Sequence, residues 1–221
     1  MSGEDILREV DEALRVEKAK RFWEENKTAL VVFVAALILG TAAQSAWRSY
    51  QQSKAESSTA QFLDALKGQE PLSALQKLSA EKDGSGSALA GLSAASIAVG
   101  KKDWDGAITL YQQVADNKHA QQTYRDLAIV QLTSLKIDHD KKASADDLLA
   151  SISPVVENEK SAWNTRAIFL SAIIKADKQK NFKSAQDDLQ ILIANPSLPP
   201  SFAEQVKALD AVYKIKGEST K

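Results

Sequence analysis

The chain holds only two histidines, His119 and His139, and no cysteine in 221 residues. Without cysteine there are no thiolate metal ligands, no disulfides and no thiol nucleophile. His139 sits in Asp138-His139-Asp140, which sets one nitrogen donor between two carboxylates. A metal site needs three or four donors converging on one point. Consecutive residues diverge instead, and no second histidine completes the set. The segment is read as a solvated turn, and His119, in DNKHAQQ, as a helix-end residue. Asp146-Asp147 and Asp187-Asp188 are adjacent pairs that point apart around a helix, so they are expected on solvated faces and not as an acid–base dyad. There is no phosphate-binding loop and no nucleophile motif. The net charge is −1, from 28 basic and 29 acidic residues, which argues against nucleic acid as a partner because phosphate neutralisation needs an excess of cations. The expectation is a non-enzymatic binding protein with no cofactor, no metal and no small-molecule substrate.

The elements that would present a binding surface begin with an apolar stretch. Residues 28–47, TALVVFVAALILGTAAQSAW, carry no charge and lie between Lys27 and Arg48. Twenty helical residues span roughly 30 Å, about the hydrocarbon thickness of a bilayer. Trp23 lies just before the stretch, and Trp47 and Tyr50 close it, as suits membrane interfaces. The reading is a single transmembrane helix. Two alternatives stand beside it: a signal peptide cleaved after Ala43, and a core helix buried in soluble protein. The leader opposes cleavage, because its 27 residues include eight acids where signal peptides have a short basic start. Six Lys or Arg lie between Arg8 and Lys27, against three between Arg48 and Lys67. The basic side stays cytoplasmic, so the C-terminal part is expected across the membrane, in the periplasm of a Gram-negative cell.

Beyond the stretch, composition and periodicity favour an all-α chain. The five prolines, Pro71, Pro154, Pro196, Pro199 and Pro200, are expected between helices. Apolar residues recur at helical spacing in four stripes, such as Trp104, Ala107, Ile108, Tyr111 and Val114. LAGLSAASIAVGKKDWDGAITLYQQV reads as helix, tight turn, helix. Ala95 in its first helix and Ala107 and Tyr111 in its second resemble a tetratricopeptide repeat, in which small residues let two helices approach. The pattern returns with Ala128, Ala145 and Leu149, and more loosely with Ser171, Ala185 and Leu189. The segment after Pro199 is expected to cap the last apolar face. The domain reading is a charged leader over 1–27, a span over 28–47, a helical juxtamembrane linker over 48–70 and a tetratricopeptide-like solenoid over 71–221.

That order, with AKRFWEENKTAL before the span and Trp47-Arg48-x-Tyr50 after it, resembles the bacterial family of membrane-anchored ancillary subunits of the Sec translocon. The resemblance implies a single-pass inner-membrane protein with a cytoplasmic N-terminus and a periplasmic repeat domain. It also implies partners: translocon core subunits, and periplasmic chaperones or translocating polypeptides. A scaffold of the same architecture for division or outer-membrane assembly is the alternative.

Two interaction surfaces are expected. Ala36, Gly40 and Ala43 share one face of the span, where small side chains permit close packing on a partner's membrane helices. Leu89, Leu92, Ser96 and Val99 lie on one face of a first repeat helix and are expected on the concave side. That face lacks a clamp of basic residues, so a hydrophobic or extended client fits it better than a charged C-terminus.

Overall fold

The computed structural model describes residues 44–45, 47–50, 56–81 and 84–219. The chain divides into two compact units, Met1–Ser57 and Ser58–Lys221. In the first, residues 44–45 and 47–50 are helical, and Trp47 and Tyr50 are exposed. The leader, most of the 28–47 stretch, and Ala36, Gly40 and Ala43 lie outside the described residues. Among the described residues no helix is long and apolar enough to cross a membrane.

The second unit is built from helices, with no strand among the described residues. Helical residues 56–67 (α1) lead into it. There follow α2 (Pro71–Ala80), α3 (Gly84–Gly100), α4 (Trp104–Asp116), α5 (Gln122–His139), α6 (Ala145–Val156), α7 (Asn164–Ile173), α8 (Phe182–Ile193) and α9 (Pro200–Ser219). A π-helical turn, Ile174–Lys178, extends α7. Phe62 and Ala65 of α1 pack into the first core cluster. The compact unit therefore starts within the segment expected as a juxtamembrane linker.

Helix ends follow from local chemistry. Pro71 and Pro200 occupy first helical positions, where the missing N–H has no helical partner anyway. Pro154 departs from the expectation, since it lies inside the last turn of α6. The helix ends two residues later, so little of it is left for the ring to disrupt.

In the pairs α3–α4, α5–α6 and α7–α8, the second helix opens on a side-chain cap. Asp103, Ser144 and Asn181 accept from the backbone N–H of Gly106, Asp147 and Ser184, satisfying donors the helix leaves unpaired. These caps reset the repeat register. Measured from its cap, the fourth helical residue is Ala107, Leu148 or Ala185, and all three are buried. Ala145, expected to match Ala107, is instead the first residue of α6 and aligns with Trp104 and Phe182. It is only partly buried, as is Leu149. The longer turn before α6 moved the register, and Leu148, Ile152 and Val155 fill the core there.

The turn from α3 to α4 closes by two bonds. Asp103 N–H donates to the Ala98 carbonyl (2.9 Å) and Lys102 N–H to the Val99 carbonyl (2.9 Å). This is the arrangement in which glycine is the preferred residue at the left-handed position, yet Lys102 holds it at φ 61°. Lys180 takes the same place before α8, at φ 57°. There the π turn widens the closure, and Asn181 N–H reaches back to the Lys175 carbonyl. Lys102→Gly is expected to stabilise the unit by about 0.5–1 kcal/mol, because relief of the left-handed strain exceeds the added freedom of the unfolded chain. Urea denaturation of the full chain in detergent reads it as a higher midpoint at unchanged slope.

Three apolar clusters follow one another along the unit. The first centres on α3, which is buried nearly all round through Ala88, Ala90, Leu92, Ala94, Ala95 and Ala98. Its small residues allow α2, α4 and α5 to crowd against it. The second joins α5, α6 and α7 through Val130, Leu148, Ile152, Val155 and Ile174. The last joins α7, α8 and α9 through Ala172, Ala185, Leu189, Leu192, Val206 and Tyr213, so α9 covers the final apolar face. Ser171 is buried there as well, and its hydroxyl donates to Asp188 at 2.7 Å.

Burial raises Tyr111 above the usual tyrosine range. Tyr213 is pushed up from 10.0 to about 12, by burial first and then by the Asp177 carboxylate. A phenol whose folded pKa exceeds its unfolded one ionises more readily in the unfolded chain. Its stabilising contribution is full below pH 10.0 and is lost as pH rises through about 12. Tyr213→Phe is therefore expected to flatten the loss of thermal stability across that window, as read by melts at stepped pH.

Candidate protein-binding groove on the inner helix row

The candidate site is built by the way α5 and α7 are tied together. Asp126, buried on α5, accepts from the Ser161 hydroxyl just before α7 (2.6 Å) and from Gln122 (2.5 Å). Trp163 Nε1 donates to the Thr123 carbonyl at 3.0 Å. Both ties join the N-terminal ends, so α5 and α7 run parallel, with α6 returning between them. Asn164 closes the far side by donating to the Val155 and Val156 carbonyls at the end of α6. Trp163→Phe keeps an aromatic ring against the second cluster but deletes one hydrogen bond and part of the packed indole. It is expected to cost about 0.5–1.5 kcal/mol, read from urea melts as a lower midpoint.

Between the parallel helices lies a cleft of about 360 Å³. Val130 and Leu170 form its floor, with Phe169 and Ile173 along the α7 side. Gln131, Ser134 and Asp138 run down the α5 side, and Arg166 stands at the opposite end from Asp138. The Arg166 guanidinium lies 4.9 Å from the centre of the Phe202 ring, a cation–π contact that restricts its rotamers. Phe202 also meets Phe169 edge-on, at 5.2 Å between centroids. The inner surface thus continues onto α9.

The residues first expected on the concave side lie on α3 and divide between two fates. Leu92 is buried, at 8% exposure, and Val99 packs against the first cluster. Leu89 (38% exposed) and Ser96 face outward. The cleft is further along the chain, and sequence reasoning missed Arg166, Phe169 and Ile173. Their three- and four-residue spacing makes a second stripe on α7, beside the core stripe of Ala167, Leu170 and Ile174.

The triplet Asp138-His139-Asp140 separates in three directions. Asp138 lines the cleft. His139, expected in a solvated turn, is the last residue of α5 and stacks on Trp104 at 3.8 Å with 6° between planes. Asp140 accepts from the Lys142 N–H. Among the described residues no group of three or more His, Cys, Asp or Glu is placed to hold a metal ion. His119 is exposed in the turn between α4 and α5. Asp187 is exposed as expected, whereas Asp188 is turned inward and bridged to Lys175 at 2.7 Å. The Lys175 side chain comes from the π-helical turn, so this ion pair ties α7 to α8.

The family model described as a tetratricopeptide repeat-like domain matches residues 20–155. The chain belongs to that family, in keeping with antiparallel helix pairs whose second helices share one buried register. The match ends inside α6, and the same pairing continues through α7 and α8. No curated protein and no solved structure matches the chain significantly. A tetratricopeptide repeat-like unit is a scaffold for protein–protein interaction, and protein partners are its expected ligands.

Proposed function

We propose that the protein is a non-enzymatic accessory of the Sec translocon in the bacterial inner membrane. One span over 28–47 anchors it, the leader is cytoplasmic, and the repeat unit is periplasmic. The unit receives periplasmic chaperones or emerging polypeptides, while the span contacts translocon core subunits and lipid. The observation that carries this reading is continuity. The family match starts at residue 20 and runs through the uncharged stretch into the helix pairs, so the stretch belongs to the same inherited unit as the repeats. The excess of basic residues before the stretch supports the orientation, and the juxtamembrane resemblance favours translocation over division or outer-membrane assembly.

The experiment has two arms. Carbonate extraction of native membranes leaves the full-length chain in the pellet if the stretch is an anchor. A shortened chain in the soluble fraction contradicts that. Gly40→Leu then fills the small-residue face formed with Ala36 and Ala43, and is expected to reduce co-purification with translocon core subunits. Unchanged co-purification rejects that face as the docking surface.

A further inference from the structure

We infer that the α5–α7 cleft is a directional peptide site, taking an extended segment with an acidic residue at one end, apolar residues in the middle and a basic residue at the other. The inference deepens the scaffold reading and rests on it, but not on which membrane complex the protein serves. Arg166 marks one end of the cleft and Asp138 the other. Arg166 stands near the N-terminus of α7 and Asp138 near the C-terminus of α5, so each helix end adds the sign of its nearby side chain. Both side chains are exposed. Among the described residues neither has an ion pair or hydrogen bond within the protein, and the same holds for Gln131 and Ser134 between them. Elsewhere Asp126 on α5 is committed to Ser161, and Lys175, in the π-helical turn that extends α7, is committed to Asp188 on α8. Phe202 holds the Arg166 guanidinium by its face, which leaves the N–H donors at its edge, like the Asp138 carboxylate, open to a partner.

The length of the cleft sets the length of the segment. From Val130 to Asp138 the helix advances roughly 12 Å, which about four extended residues cover at about 3.3 Å each. Phe169 and Ile173 receive the apolar side chains, and Gln131 and Ser134 offer hydrogen bonds to the peptide backbone. A segment acidic at both ends meets Asp138 with like charge, and one basic at both ends meets Arg166 with like charge. Specificity of this kind is set by repulsion as much as by attraction.

The test uses the full chain in lipid nanodiscs and three fluorescent peptides with one apolar core. The matched peptide has glutamate at one end and lysine at the other; the second has glutamate at both ends and the third lysine at both. In fluorescence anisotropy the matched peptide is expected to bind tightest, weakening as salt rises. Arg166→Glu is expected to weaken it about tenfold and to make the lysine-ended peptide the preferred ligand. Asp138→Lys is expected to transfer preference to the glutamate-ended peptide. Circular dichroism melts check that both surface variants stay folded. Equal binding of all three peptides, no binding, or charge swaps that leave the order unchanged would overturn the inference. So would sedimentation showing a second copy seated in the cleft, with dimerisation that the matched peptide fails to compete. Location plays no part in these readouts, so a failure here is distinct from a failure of the translocon assignment.

Discussion

Gly91→Val is expected to destabilise the repeat unit by about 3 kcal/mol or more, the upper end for overpacking a closed core. A Cβ at position 91 would stand 2.5 Å from Val114 Cγ2 on α4 and 2.6 Å from Ser79 Oγ on α2. The Ser79 hydroxyl can rotate aside, but Val114 is buried and has little room to yield, so the side chain at 91 meets α4. Even Gly91→Ala is expected to lose stability. The alanine gains about 1 kcal/mol of helix propensity, but the clash costs more. Val114→Ala removes the nearer obstacle and should make the double variant less damaged than the sum of the two single changes. Urea melts of the four proteins in detergent measure that coupling. Additive losses would mean that position 91 acts by some route other than the α3–α4 contact.

Leu189→Ala is expected to cost about 2–5 kcal/mol, the range for emptying a filled core site. Leu189 is buried at 0% exposure among Ala185, Leu192, Val206 and Tyr213. In a repeat architecture each element leans mainly on its neighbours, so the loss should stay local. Amide hydrogen exchange should show faster exchange across α7, α8 and α9 while α3 and α4 keep their protection. Gly91→Val should give the reverse pattern, with α2, α3 and α4 losing protection first. Uniform loss in both variants would show that the unit unfolds as one cooperative body.

Much of the helical scaffold was legible because its signals are local. Helical periodicity picked out the buried residues Ala107, Tyr111 and Val114 on α4, and Ala185 and Leu189 on α8. The small residues Ala95, Ala128 and Ser171 are buried where first helices meet their neighbours. Register was harder to read. Ala145 resembles Ala107 in type and spacing, and only the Ser144 cap reveals that it begins its helix. The rule that keeps proline out of helix interiors weakens in the final turn, where Pro154 lies. The cleft was not legible, because it depends on which first helices lie side by side. The bonds that set this join residues far apart in sequence, Asp126 to Ser161 and Thr123 to Trp163. The stacking of His139 on Trp104 is equally non-local, because Trp104 lies on another helix. The span and its small-residue face stay outside the described residues and rest on sequence.

We propose that this repeat scaffold works at the translocon while held in the membrane by residues 28–47. Site-specific photocrosslinking from position 40 in native membranes tests location and partner together. Adducts to translocon core subunits are expected, and they should diminish when Ala36 or Ala43 is replaced by leucine. Adducts only to other membrane proteins, or none in the membrane fraction, would contradict it.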